Sequence, residues 1–88
     1  MDDIAAWRAR IDDIDMELIE LLNERAACAL EIGRLKRLDG LDVYNPERED
    51  AVIRRVQDAN AGPLDDDAVR RLFHHIIEES RNREAAGE

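Results

Sequence analysis

The sequence predicts an all-α protein in which a single domain, residues 1–88, contains one long helix and two shorter ones. Three observations support this class. Charged residues make up 40% of the chain and aromatic residues only 3%, a composition that suits long helices better than sheets. Apolar residues recur at helical spacing in three stretches. Two short segments rich in turn-forming residues separate those stretches.

The first predicted helix covers about residues 4–38. From Ile4 to Leu35 the apolar residues alternate three and four positions apart, which forms a heptad seam along one face. A helix of about 35 residues spans roughly 50 Å, more than the width of so small a domain. We therefore expect a second copy of the chain to cover this seam. An ordinary coiled-coil dimer is the simpler alternative.

The second predicted helix covers about residues 46–59. Gly40 suits a left-handed cap that ends the first helix. Asn45 suits an N-cap, and Pro46 suits the first helical position, where its missing N–H costs nothing. These signals predict a loop and then a new helix.

The third predicted helix covers about residues 66–84. Residues 60–63 combine asparagine, glycine and proline, which predicts a second break in the helical pattern. Asp65 or Asp66 can then cap the helix that follows.

Charge and composition exclude several classes of protein. The formal net charge of −9 argues against nucleic-acid binding, which needs clustered lysine and arginine. No apolar run approaches the roughly 20 residues of a membrane span. One cysteine, Cys28, cannot form an internal disulfide, and no signal-peptide pattern opens the chain, so we expect a cytoplasmic protein. The adjacent His74 and His75 would diverge by about 100° on a helix, so we expect no metal site.

Two cations occupy the core-facing side of the first helix. Arg25 stands at a seam position, where a buried guanidinium requires an anionic partner. Lys36 follows eleven residues later and shares the same face. The partner of Arg25 is either a carboxylate of the protein or an anionic ligand.

Four more polar residues lie beside the apolar stripes of the other two helices: Arg48, Glu49, Ser80 and Glu84. Taken singly, they are explained as surface charge pairs or as an exposed helix end. Taken together with the cations of the first helix, they predict one shared pocket. Such a pocket suits a small anion whose carboxylates are held by arginine and whose other oxygens receive single hydrogen bonds.

In order and spacing, five segments of the chain resemble the all-helical chorismate mutase family, bacterial small dimeric type: residues 8–15 (RARIDDID), 21–25 (LLNER), 31–36 (EIGRLK), 43–49 (VYNPERE) and 73–80 (FHHIIEES). The resemblance implies an intertwined homodimer with two equivalent sites, each completed by an arginine from the partner's first helix. Arg8 matches that arginine. Arg25 and Arg8 would hold the substrate carboxylates, Arg48 would assist, and Ser80 would approach a carboxylate.

The resemblance also implies how the remaining groups of the substrate are bound. Lys36 would bind the ether oxygen together with a carboxylate, and Glu84 would donate a second hydrogen bond to that oxygen. Many family members carry glutamine at the position of Glu84. Glu49 would bind the ring hydroxyl, and Asn45 would act through its backbone N–H. Lys36, Glu84 and Arg25 are the expected catalytic residues.

The function implied is the Claisen rearrangement of chorismate to prephenate, an isomerase step of the shikimate pathway toward phenylalanine and tyrosine. It requires no cofactor. An isochorismate-pyruvate lyase would match nearly all the same residues, and a non-catalytic dimeric helical module that binds a metabolite is a further alternative.

Overall fold

The computed structural model describes residues 3–86, which form three helices. They are α1 (Asp3–Asp39), α2 (Pro46–Ala59) and α3 (Asp66–Ala86), and the described residues contain no strand. The predicted all-α class is thereby confirmed, and the helix bounds differ from those predicted by two residues or fewer. The first and last two residues of the proposed single domain lie outside the described part of the chain. No described helix is both long and apolar enough to cross a membrane.

The end of α1 is closed by two hydrogen bonds around a glycine. Gly40 has a φ of +68°, the left-handed conformation that glycine adopts at little cost. The N–H of Leu41 donates to the carbonyl of Lys36 at 2.8 Å, and that of Gly40 donates to the carbonyl of Arg37 at 3.3 Å. This pair of bonds is the Schellman motif. The predicted cap at Gly40 is confirmed.

Both shorter helices begin at side-chain caps. The Asn45 side chain accepts a hydrogen bond from the backbone N–H of Arg48 at 3.1 Å, with Pro46 as the first helical residue. Asp65 accepts one from the N–H of Ala68 at 2.7 Å, which identifies it as the N-cap of α3. These bonds satisfy N–H groups that have no partner within the helix.

Helix α3 holds the chain together, since it packs on both α1 and α2, whereas those two do not pack on each other. The contact with α1 is close at Gly33. A Cβ at this position would lie 2.5 Å from the backbone oxygen of Glu84. Glycine therefore allows the two helices to approach closely beside Lys36.

The core of one chain is small, whereas the seam of α1 is exposed. The buried apolar side chains among the described residues are Ala29, Val69 and Ile77. Trp7 is 70% exposed and Leu21 60% exposed. The described chain measures 60 × 27 × 15 Å, so it is long and thin. One copy of the chain leaves the apolar face of its longest helix uncovered.

Candidate active site

A cavity of about 200 Å³ lies between the three helices, near the loop that joins α1 to α2. Seven of the eight site residues predicted from the sequence line it: Arg25, Lys36, Asn45, Arg48, Glu49, Ser80 and Glu84. The eighth, Arg8, is exposed on α1 and does not line this cavity. The shared pocket inferred from scattered polar residues therefore exists within one chain.

Arg25 is half-buried and is held by a hydroxyl group. Its guanidinium donates to the Ser80 Oγ, and the Ser80 hydroxyl donates in turn to the carbonyl of Ile76 at 3.0 Å. No carboxylate of residues 3–86 forms an ion pair with Arg25. Within one chain, the anionic partner expected for Arg25 is therefore not a carboxylate of the described residues. The guanidinium retains donors for an anionic ligand.

Lys36 and Glu84 form the most enclosed ion pair of the cavity. The Lys36 Nζ lies 2.9 Å from the Glu84 Oε1, and the two side chains are 19% and 15% exposed. Lys36 also donates to the backbone carbonyl of Val43 at 2.8 Å, and Arg37 donates to the backbone carbonyl of Glu84 at 3.0 Å. Glu84 is therefore held against Lys36 at the end of α3 and does not face open water.

Arg48 and Asn45 contribute unsatisfied donors at the start of α2. The side chain of Arg48 forms no hydrogen bond or ion pair with any described residue. Asn45 uses its side-chain oxygen and its backbone carbonyl to cap and begin the helix. Its backbone N–H has no partner within residues 3–86. Both groups can bind a ligand without breaking a bond of the fold.

Arg81 lines the cavity as well, although the sequence did not identify it as a site residue. Its Nη1 lies 3.3 Å from the Glu49 Oε2, and its guanidinium stacks 5.0 Å from the centre of the Tyr44 ring. One signal was available in the sequence. Arg81 follows the buried Ile77 by four residues, so it continues the apolar stripe of α3.

The cavity carries positive charge on a strongly acidic protein. Its lining includes four cationic side chains and two carboxylates, a formal charge of +2, whereas the whole chain carries −9: Arg25, Lys36, Arg48 and Arg81 against Glu49 and Glu84. Each carboxylate is paired with a different cation, which leaves Arg25 and Arg48 unpaired among the described residues. Two free arginines suit a ligand with two carboxylate groups.

Comparisons with known proteins agree on one family. The family described as chorismate mutase type II matches residues 7–85 of the chain. A bifunctional chorismate mutase/prephenate dehydratase of Neisseria gonorrhoeae is 54% identical over 72 residues, which is 82% of this chain and 19% of that protein. The chain thus spans about a fifth of the length of the curated relatives it matches.

Two solved structures extend the similarity to the whole fold. A chorismate mutase of Thermus thermophilus superposes with a TM-score of 0.93 at 36% identity, covering 96% of this chain and 96% of that chain. A chorismate mutase of Helicobacter pylori in complex with prephenate superposes with a TM-score of 0.87 at 26% identity, covering 96% of this chain and 91% of that one.

Proposed function

The chain belongs to the chorismate mutase type II family, and from this premise we propose that it converts chorismate to prephenate in the cavity of Lys36 and Glu84. One observation carries the proposal. A lysine and a carboxyl group lie 2.9 Å apart between two arginines that lack carboxylate partners among residues 3–86. A dicarboxylate held by the arginines would present its ether oxygen to Lys36.

In the proposal, Arg25 and the partner's Arg8 bind the two carboxylates, and Arg48 assists. The Ser80 hydroxyl already gives its proton to the carbonyl of Ile76 and accepts from Arg25. Its role in the proposal is therefore to orient the guanidinium beside the carboxylate. Holding a flexible substrate in its compact, reactive conformer removes much of the entropic part of the barrier.

The rearrangement itself breaks a carbon–oxygen bond and forms a carbon–carbon bond, with no nucleophile and no proton transfer. Negative charge develops on the ether oxygen as its bond to carbon breaks. Lys36 donates to this oxygen, and a protonated Glu84 donates a second hydrogen bond. Donors fixed in advance at such a position each contribute roughly 10²–10³ in rate.

The remaining contacts in the proposal fix the orientation of the ring. Glu49 accepts a hydrogen bond from the ring hydroxyl, since its Oε1 has no partner among the described residues. The free backbone N–H of Asn45 donates to the substrate from the start of α2. These groups contact parts of the substrate away from the breaking bond.

The proposal includes a homodimer that works in the cytoplasm. A second copy would cover the exposed apolar seam of α1 and bring its Arg8 to the cavity, to which the same chain's Arg8 does not reach. It would also add one more positive charge to the site.

Incubation of the purified chain with chorismate, and in parallel with isochorismate, followed by NMR identification of the product, tests the proposal. Prephenate is the expected product. Pyruvate released from isochorismate would instead identify the lyase alternative, and binding without turnover would identify a regulatory module. An Arg25→Ala chain purified in parallel controls for traces of the host's own enzyme, because its activity should fall strongly while that of a contaminant would not change.

A further inference from the structure

Arg81 joins three parts of the cavity wall that otherwise have few connections. It projects from α3, forms an ion pair with Glu49 on α2 and stacks on Tyr44 in the loop between α1 and α2. Its side chain is 33% exposed, so the ion pair is partly shielded from solvent. No other side chain of the described residues contacts both α2 and this loop through an ion pair, a hydrogen bond or a cation–π stack.

Helix α2 is positioned by its packing on α3 and by contacts of this kind, because α1 and α2 do not pack on each other. The other polar links between α2 and α3 lie at the far end of α2, where Gln57 and the following Asn60 bind Asp66. At the cavity end the polar link is the ion pair of Arg81 with Glu49. This pair therefore sets where the Glu49 carboxylate lies.

Charge gives the pair a second consequence. An unpaired Glu49 would repel any dicarboxylate that enters the cavity, and repulsion between charges a few ångströms apart is substantial in a partly enclosed site. Arg81 offsets that charge while contacting only the Oε2, which leaves the Oε1 available. A carboxylate can thus remain in an anion-binding pocket and still accept a hydrogen bond.

We propose that Arg81 is a positioning and specificity-determining residue, which holds Glu49 so that it accepts the substrate hydroxyl without repelling the dianion. The inference rests on the proposed function, and it goes further by assigning a role to a residue that the resemblance does not supply. Arg81 forms no hydrogen bond or ion pair with Lys36 or Glu84. Its loss should therefore weaken substrate binding more than the chemical step.

Steady-state kinetics of Arg81→Met, Arg81→Lys and the double variant Glu49→Gln/Arg81→Met test this role. The Met variant should raise KM roughly tenfold, as expected for one unpaired charge in a partly screened site, and change kcat by less than about threefold. The Lys variant should keep most of the affinity because it keeps the charge. The double variant should recover much of the lost affinity, because removing Glu49's charge removes the repulsion.

Arg70→Met is the matched control, because it removes another arginine of α3 that is paired with a carboxylate, Asp67, outside the cavity. Its KM should equal that of the wild type. A KM of Arg81→Met within twofold of the wild type, or a double variant no better than Arg81→Met, overturns the inference. If Arg81→Met fails to fold by circular dichroism, Arg81→Gln, which also removes the charge, takes its place in both comparisons.

Calorimetric titration with prephenate separates this inference from the proposed function. A wild-type chain that converts chorismate while Arg81→Met is unaffected overturns the inference alone. A wild-type chain that binds prephenate without turnover overturns the proposed function, and the dissociation constants of the same variants then test Arg81. A wild-type chain that neither converts chorismate nor binds prephenate overturns both.

Discussion

Glu84 differs from most carboxylates of this acidic chain because it is enclosed and faces a lysine. Its Oε1 accepts from Lys36 at 2.9 Å, and its backbone carbonyl accepts from Arg37 at 3.0 Å. The carboxylate and the ammonium satisfy each other in this ion pair. An ether oxygen that approaches Lys36 must share that ammonium with Glu84, so the protonation of Glu84 decides whether it competes with the substrate or assists it.

Glu84→Gln is expected to make the catalytic efficiency less dependent on pH. Only a protonated carboxyl can donate to the ether oxygen, and an ionised one repels the negative charge that develops there. An amide keeps its donor at every pH, so the kcat/KM of Glu84→Gln should vary less with pH than that of the wild type. Profiles of both proteins from about pH 4.5 to about pH 8.5 check this.

Glu31→Gln is the control for that profile. Glu31 is exposed on α1, and its hydrogen bond to the Arg34 guanidinium holds the pKa of this carboxyl below its ordinary value. Glu31 stays ionised over nearly all of the range, so its replacement should leave the wild-type profile unchanged. Coincident profiles for the wild type and Glu84→Gln would place Glu84 outside the site.

Residues that line the cavity were predictable where a polar side chain interrupts an apolar pattern. Arg25 stands at a heptad position, and Lys36 repeats its direction, so both were found from periodicity alone. Arg81 was missed because a charge near the end of a helix is ordinarily solvated. Its partners, Glu49 and Tyr44, come from other parts of the chain, and no local pattern connects them to it.

Helix boundaries were predictable because their causes are local. The caps at Gly40, Asn45 and Asp65 each form bonds within a few residues of their own position. The close crossing of α1 and α3 at Gly33 was not predictable in this way. From the sequence alone, a glycine inside a helix indicates only a lower helix propensity. Glycine is needed at position 33 because the backbone of Glu84, on another helix, lies so close.

Gly33→Ala is expected to destabilise the protein, although alanine favours helices over glycine by about 1 kcal/mol. The new Cβ would meet the backbone oxygen of Glu84 at 2.5 Å and its Cα at 2.7 Å, and a backbone cannot rotate away as a side chain can. Overpacking of this kind costs typically about 1–3 kcal/mol. Urea unfolding at a fixed protein concentration measures the change. A stabilised variant would mean that α1 and α3 do not cross this closely.

The small core and the long exposed seam of one chain favour the proposed dimer. Trp7, Leu18 and Leu21 are each at least half exposed in one chain, although they lie on the face with the strongest apolar pattern. Burial of such residues contributes roughly 1.5–3 kcal/mol each. A partner that covers the seam would add more apolar burial than the three buried side chains of the single chain provide.

Unfolding should therefore depend on protein concentration. If folding and dimerisation are coupled, mass action raises the midpoint of thermal unfolding as the chain becomes more concentrated. Circular dichroism melts over about a hundredfold range of concentration, together with sedimentation equilibrium, measure this. A folded, active monomer at low micromolar concentration would contradict the proposed dimer.

Arg8 is expected to act in the partner's site, because it lies seventeen residues from Arg25, about 25 Å along a rigid helix. Mixing and refolding Arg8→Ala chains with Arg25→Ala chains should then produce heterodimers in which one site has both arginines and the other has neither. Random pairing gives about half heterodimers, so activity should return to about a quarter of the wild-type value. A mixture of Arg25→Ala with Lys36→Met is the control: both residues line the same chain's cavity, so no pairing restores a complete site. If the first mixture stays as inactive as the second, Arg8 does not act across the interface.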